Sequence, residues 1–282
     1  MKKILLLIAV TSVLLGTISC GDDNDEPRRG NGVFTVNTTM FNHMSRGNNA
    51  QGISTTQNKL VIDTVNHTAS LELNYNDGTA RTVSLKDISA KPKRLGFYEL
   101  TASPTSQVTA FKGYVDFNEG AMRYGYTTAD GIRVISMTPE VFFLKTNSTV
   151  TYDDTTKATT GWENAMYQFN ISPATQTATI MVMQIVHAKD LKYFNNITSN
   201  NVPFTVTPDG FTISGTDLKT TAKYRAYVDT TNSVVATTDK YPFKTFNATI
   251  DLANDKLDAD FMMGGSATVK TTGRTYPDYT SY

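Results

Sequence analysis

Residues 111–137 read FKGYVDFNEGAMRYGYTTADGIRVISM, and this stretch decides the fold class. Apolar and polar side chains alternate from Phe111 to Phe117, which predicts a strand with one buried face. The turn sequence Asn118-Glu119-Gly120 leads into a second alternation, and Asp130-Gly131 leads into a third. Asn, Asp and Gly favour the tight turns of β-hairpins, so the stretch predicts three consecutive antiparallel strands.

The same pattern continues outside this stretch. Leu71, Leu73 and Tyr75 alternate with polar residues, and Asp77-Gly78 turns the chain into another strand. Thr, Val, Ile, Tyr and Phe dominate the composition between such turns, which is typical of an all-β sandwich or barrel. One short helix is predicted, over residues 188–194.

The pattern also repeats within the chain. Residues 60–71 match residues 169–180, Gly96-Phe97 matches Gly210-Phe211, and residues 111–126 match residues 246–261, at offsets of 109, 114 and 135 residues. Because the matches keep their order, we expect two tandem antiparallel β units of related plan. Their predicted bounds are 33–150 and 160–275, with a linker at 151–159 and a tail at 276–282. The second unit has 21 extra residues, which fall within 216–243.

The first nineteen residues have the layout of a secretory signal peptide. Lys2 and Lys3 precede an apolar run over residues 4–15, and small residues follow at 16–19. The run is too short to span a bilayer comfortably. Cys20, the only cysteine of the chain, comes directly after it, and an acidic, Gly-containing tether extends to about Gly32.

These features resemble the leader of Bacteroidetes surface lipoproteins. Ile18-Ser19-Cys20 is similar to their lipobox, although Thr17 stands where the pattern prefers an aliphatic residue. The acidic run 22–26 is similar to their export signal. The resemblance implies a lipid such as palmitate on Cys20, an anchor in the outer membrane, and display on the cell exterior, with a periplasm-facing anchor as the alternative. The β units resemble the calycin-like or sandwich-type lipoproteins of that group, a likeness that carries no functional residues.

Charge and composition argue against several function classes. Without Lys2 and Lys3 the chain has 24 basic and 26 acidic residues, so no basic surface for nucleic acid is implied. His43, His67 and His187 lie far apart, and no metal-ligand spacing, phosphate loop or nucleophile motif occurs. The sequence therefore predicts no metal, no cofactor and no enzyme. A hydrolase that uses carboxylates alone, such as Asp153, Asp154 and Glu163, is the remaining enzymatic alternative.

Aromatic residues supply the candidate binding site. Exposed Trp and Tyr are natural platforms for sugar rings. The candidates are two residues near the start of the second unit and four in its extra segment: Trp162, Tyr167, Tyr224, Arg225, Tyr227 and Tyr241. Two alternatives stay open: Trp162 caps the core, and the extra segment is an edge hairpin without a ligand.

The leading hypothesis is thus a lipid-anchored, non-enzymatic module that binds a carbohydrate or another small ligand. The rival is a structural or interaction subunit that docks on a surface protein through an exposed sheet edge. Three triplets also resemble the sequon at which Bacteroidetes glycosylate hydroxyl groups, which makes Thr64, Thr155 and Thr230 candidate modification sites.

Overall fold

The computed structural model of this chain describes residues 31–118, 120–143, 145–152, 159–160, 166–187, 192–227, 233–264 and 267–274. Over these residues the chain forms strands and no helix, so the all-β prediction is confirmed. The strands are β1 (Val33–Arg46), β2 (Asn49–Asp63), β3 (Thr68–Asn76), β4 (Ala80–Arg94), β5 (Phe97–Thr101), β6 (Val108–Asp116), β7 (Ala121–Thr128), β8 (Arg133–Met137), β9 (Glu140–Phe143), β10 (Lys145–Tyr152), β11 (Thr159–Thr160), β12 (Met166–Ser172), β13 (Thr177–His187), β14 (Lys192–Thr207), β15 (Gly210–Leu218), β16 (Thr221–Tyr227), β17 (Ser233–Thr238), β18 (Phe243–Asp251), β19 (Lys256–Met263) and β20 (Ala267–Arg274).

Strands β1 to β8 form a closed barrel in which each strand pairs with the next, and β8 pairs back with β1. The predicted hairpins at Asp77-Gly78 and Asp130-Gly131 are the β3–β4 and β7–β8 connections. Inward side chains fill the barrel with a hydrophobic core. Leu71, Leu73, Tyr75, Val115 and Tyr124 are among its buried members.

The second unit repeats this order without closing. Its main path is β9-β12-β13-β14-β15-β18-β19-β20-β10-β11. β9 pairs with β12 as β1 pairs with β2, and β10 pairs with β20 as β1 pairs with β8. The short strands β9 and β10 together thus occupy the place of β1. Since each of them takes a different neighbour, the sheet stays open where the barrel is closed.

Local details confirm that the two units share one plan. The β3–β4 pair has a bulge at Asp87, and the β13–β14 pair has one at Asn201, both with φ near 55°. The turn residues His67 and Gln176 also share a left-handed backbone, with φ of 55° and 51°. These pairs are related by the offsets 114 and 109 found in the sequence.

The structure corrects the predicted end of the first unit and the one predicted helix. Residues 140–152 form β9 and β10 of the second sheet, so they do not belong to the first unit, which ends at Met137. The predicted helix at 188–194 is wrong over its described part. Residues 192–194 begin strand β14 and pair with β13, while 188–191 lie outside the described residues.

The extra segment of the second unit is the β16–β17 hairpin. It lies between β15 and β18 in sequence, and β16 pairs with the first half of β14. This matches the expected position of the 21-residue addition, and it matches the alternative in which the addition is an edge hairpin.

One wall of the barrel covers the open second unit. Phe41, Ile135 and Met137 point out of the barrel, yet all three are buried within the second hydrophobic core. The Phe41 ring meets Phe211 edge-on, with 6.3 Å between the ring centroids. The two units therefore share a core, which we call the seam.

Polar contacts surround the seam. His43 Nε2 lies 2.7 Å from the carbonyl oxygen of Thr207, and the guanidinium of Arg133 donates to Pro208 O and to Asp209. At a second point Arg123 donates to Leu252 O and pairs with Asp255. Burial is the main cause that lowers the pKa of His43, and the charge of Arg133 acts in the same direction. The imidazole is therefore held neutral in the seam.

Candidate functional site

Two of the proposed aromatic platforms are core residues. Tyr167 is fully buried, with its ring against Phe261 and its hydroxyl hydrogen-bonded to Thr271. Burial raises the pKa of Tyr167 to about 12. Tyr241 is also buried and packs edge-on against Phe194, with 4.7 Å between the ring centroids. The prediction that Tyr167 and Tyr241 contact a ligand is wrong, because neither ring reaches the surface.

The remaining aromatic candidates are not gathered into a site. Tyr224 on β16 is half-buried and packs edge-on against Phe194 with 6.0 Å between ring centroids. Arg225 and Tyr227 lie further along β16, opposite Val235 and Ser233, and their side chains are outside the described part of the structure. Trp162 lies outside the described residues as well. Within the described residues, the aromatics of the added segment thus help to fix the hairpin on the second core.

The candidate modification sites also change. Thr64 is buried, and its hydroxyl donates to Gly32 O and accepts from Gly32 N. A transferase needs an accessible hydroxyl, so Thr64 is wrong as a glycosylation site. Thr155, Thr230 and Cys20 lie outside the described residues, as do Asp153, Asp154 and Glu163.

The described histidines are not clustered. His43 belongs to the seam, whereas His67 stands exposed in the β2–β3 turn. Among the residues that the structure describes, no three His, Cys, Asp or Glu side chains are grouped so that they could hold a metal ion.

A different surface brings polar groups together. Strands β15, β18, β19 and β20 lie side by side, and their outward side chains form two rows across the sheet. One row is Thr212, Thr249, Asp258 and Thr272, and the other is Ser214, Asn247, Asp260 and Lys270. We call these eight residues the polar face. Directly opposed side chains on antiparallel strands have Cβ atoms about 4.5–5.5 Å apart, so each row is continuous.

The polar face forms an open depression of about 680 Å³. The intervening residues of the same strands, such as Ile213 and Ala248, point the opposite way and are buried in the core. The floor of the depression is therefore rigid sheet. Its walls are short side chains, apart from Lys270, whose ammonium lies 3.6 Å from the carboxylate of Asp260.

The barrel lacks an equivalent surface. At the repeat offset of 135, the outward positions of β6 and β7 correspond to four members of the polar face and carry two cationic side chains, a tyrosine and a glycine. They are Lys112, Tyr114, Arg123 and Gly125 in place of Asn247, Thr249, Asp258 and Asp260. Arg123 moreover crosses to the second unit. The polar face is thus a property of the second unit and not of the shared plan.

The chemistry of the polar face suits a ligand rich in hydroxyl groups. Carboxylates accept hydrogen bonds only, an ammonium donates only, and hydroxyls and amides do both. The face offers all three kinds at neighbouring positions of one sheet. Sequence reasoning missed these residues, since alternating Thr, Asn and Asp is also the ordinary pattern of a solvated strand face.

Comparisons with known proteins give no further guide to function. No protein-family model matches the chain, and no curated protein matches it closely enough to be a relative. Within the residues that the structure describes, no helix combines the length and the apolar character needed to cross a membrane.

Proposed function

We propose that this protein is a lipid-anchored, non-enzymatic module of a bacterial cell surface that binds a polyhydroxylated ligand, such as a glycan, on its polar face. The observation that carries the proposal is the pair of polar rows across β15, β18, β19 and β20. Ligand sites generally combine a depression with a few polar groups, and the polar face places eight polar side chains around an open depression.

Hydrogen bonding is the main source of recognition in this proposal. Asp258 and Asp260 stand two residues apart on β19, so both carboxylates project from the same side of one strand. Neighbouring hydroxyls of a sugar ring donate to such carboxylates, while Asn247 and Lys270 supply donors to ring and hydroxyl oxygens. None of the residues that line the depression is aromatic, so we expect weak binding that depends on several contacts at once.

The anchor rests on the leader. A signal peptide, Cys20 directly after it and an acidic tether together support lipidation and display. Two or three acyl chains hold a soluble domain on a membrane, because each buried methylene contributes about 0.8 kcal/mol. Metabolic labelling with an alkyne fatty acid tests this part. Wild-type protein should be labelled and Cys20→Ala should not, and equal labelling of both would refute the anchor.

Glycan-array screening of residues 31–282 tests the binding part. We expect the wild type to bind at least one glycan class and Asp258→Ala/Asp260→Ala to lose that signal. The matched control is Asp217→Ala, which removes an exposed carboxylate of β15 outside the polar face. An equal loss of glycan signal in Asp217→Ala would show that binding depends on the total negative charge of the protein and not on the polar face. Wild-type binding that survives in Asp258→Ala/Asp260→Ala would remove the polar face as the site.

A second candidate function is docking on another surface protein through β17. β17 pairs with β16 alone among the described strands, and Val235 on it is 63% exposed. An open edge with an exposed aliphatic side chain favours strand addition by a partner. Failure to bind any glycan, together with recovery of one stoichiometric partner that Val235→Lys abolishes, would favour this candidate over glycan binding.

A further inference from the structure

Exposed apolar side chains concentrate at one end of the barrel. Four large hydrophobic residues are exposed in the described part of the chain, and three of them belong to the barrel: Val33 at 66%, Val65 at 58% and Leu95 at 63%. Val33 begins β1, Val65 lies in the β2–β3 turn and Leu95 in the β4–β5 turn. Since neighbouring barrel strands are antiparallel, the start of β1 and these two turns share one end, which we call the apolar end.

Hydrogen bonds connect neighbouring segments of the apolar end. Beside Val33 and Val65, the backbone N–H of Thr64 donates to Gly32 O, and the backbone N–H of Gly32 donates to the Thr64 hydroxyl. The side-chain amide of Asn118, in the β6–β7 turn, donates to the carbonyl oxygen of Leu95 at 2.7 Å.

Three half-buried aromatic rings lie next to the start of β1 and the turns of the apolar end. Phe34 and Phe117 meet across the end with 6.0 Å between ring centroids, and Tyr98 packs against Phe117 at 6.1 Å. The three exposed side chains therefore belong to the same end of the barrel as this group of aromatic rings.

The opposite end of the same barrel is an internal control. Its turns connect β1 to β2, β3 to β4, β5 to β6 and β7 to β8. They consist of Gly, Asn, Asp, Thr, Ser and Gln together with Ala102, Pro104, Ala129 and the buried Ile132. Over the described residues no large hydrophobic side chain is exposed there. Single exposed aliphatic residues are ordinary on a protein surface, and in the described barrel all three lie at the same end.

Three of the charged groups described at the apolar end have partners. Lys93 pairs with Glu99 at 2.8 Å, and Arg94 pairs with Asp116 at 2.6 Å. Asp63 accepts hydrogen bonds from the backbone N–H groups of Val65 and Asn66. Partnered charges cost less to move towards a surface of low dielectric constant than isolated ones.

The position of the N-terminus indicates what covers this end. The chain enters the barrel at Val33, thirteen residues after Cys20. A flexible linker of that length has a root-mean-square reach of roughly 20 Å. A lipid on Cys20 therefore holds the apolar end, more than any other described part of the barrel, next to the bilayer.

We infer that the apolar end docks on the membrane that carries the lipid of Cys20, with Val33, Val65 and Leu95 entering the interfacial region. The inference rests on the lipid anchor of the proposed function and adds a fixed orientation to it. Amphipathic surfaces that supplement a lipid chain in this way convert a loose tether into a defined attachment.

The single cysteine allows a test that does not depend on cellular lipidation. Residues 20–282 are coupled through Cys20 to a maleimide lipid in phosphatidylcholine vesicles, some of them with brominated acyl chains that quench tryptophan. In a Trp162→Phe background, Leu95→Trp places a reporter at the apolar end. Thr79→Trp places the matched control at the opposite end, where Thr79 is also exposed. If Leu95→Trp impairs folding, Val65→Trp replaces it.

We expect the brominated lipid to quench the Leu95→Trp reporter several-fold more than the Thr79→Trp control. Equal quenching of the two would overturn the inference. So would a concentration-dependent blue shift of the Leu95→Trp emission without vesicles, because a second copy would then cover the apolar end. Absence of fatty-acid labelling in cells would refute the anchor while leaving the quenching result as it is, so the two failures are distinguishable.

Discussion

Phe41 provides the sharpest test of the seam. Its side chain points out of a closed barrel, yet it is fully buried because the second unit covers it. Truncating a buried Phe to Ala costs about 3–5 kcal/mol, and Phe41→Ala also loses the edge-on contact with Phe211. In the full chain we therefore expect the free energy of unfolding to fall by about 4 kcal/mol.

The same change should behave differently in the barrel alone. In residues 31–138 the second unit is missing, so Phe41 is a surface residue and Phe41→Ala should change the stability by less than about 1 kcal/mol. Phe111→Ala is the matched control, because Phe111 belongs to the core of the barrel itself and should cost about 3–5 kcal/mol in both proteins. Urea denaturation followed by circular dichroism measures all four values. A loss from Phe41→Ala that is as large in the barrel alone as in the full chain would refute the shared core.

Three further predictions concern single residues. Burial lowers the pKa of His43 below its ordinary value of 6.5, so the unfolded chain takes up a proton that the folded chain refuses. Stability should therefore fall as pH drops below about 6.5, and His43→Gln should flatten this part of a pH–stability curve; an unchanged slope in His43→Gln would contradict the prediction. Tyr167→Phe should lower the free energy of unfolding by about 1–2 kcal/mol, because it leaves Ser148 as the remaining partner of the buried Thr271 hydroxyl. Thermal or urea unfolding measures this change, and an unchanged stability would contradict the hydrogen bond between Tyr167 and Thr271. A Cβ at Gly210 would clash with the backbone carbonyl oxygen of Ile250, so Gly210→Ala should lower stability by about 1–3 kcal/mol. Gly125→Ala, whose Cβ would have its nearest contact at 3.8 Å, should be close to neutral, and similar melting temperatures for the two variants would contradict this packing.

The sequence was sufficient for the fold class and for the repeat. Turn residues such as Asp77-Gly78 and Asp130-Gly131 act locally, so hairpins between them follow from a few neighbouring positions. The repeat offsets aligned even the left-handed residues His67 and Gln176, because both units need the same backbone reversal there. These features depend on short stretches of chain.

Other features depend on long-range pairing and were missed. Nothing local distinguishes the strand at 140–143 from the end of the first unit; its partner, β12, lies beyond the intervening residues 144–165. The sequence predicts ligand platforms at Tyr167 and Tyr241 because a local pattern of apolar and polar residues does not say which side chains another layer will cover. Similarly, Asp258 and Asp260 become candidate ligand contacts only once β18 and β20 place Asn247 and Lys270 beside them.

The split of one strand into β9 and β10 has a consequence for the order of assembly. In the barrel every strand pairs with the next one in sequence, and β8 then closes the barrel by pairing with β1. All the strands that the barrel needs are therefore present once the chain has been made up to Met137. β10, in contrast, must wait for β20 at the far end of the chain. If the chain crosses a membrane starting from its N-terminus, the barrel is completed first. The second unit then packs against the outer side of a barrel that has already formed. A truncated chain that stops before Ala267 should consequently keep β10 and β19 as two unpaired edges and aggregate.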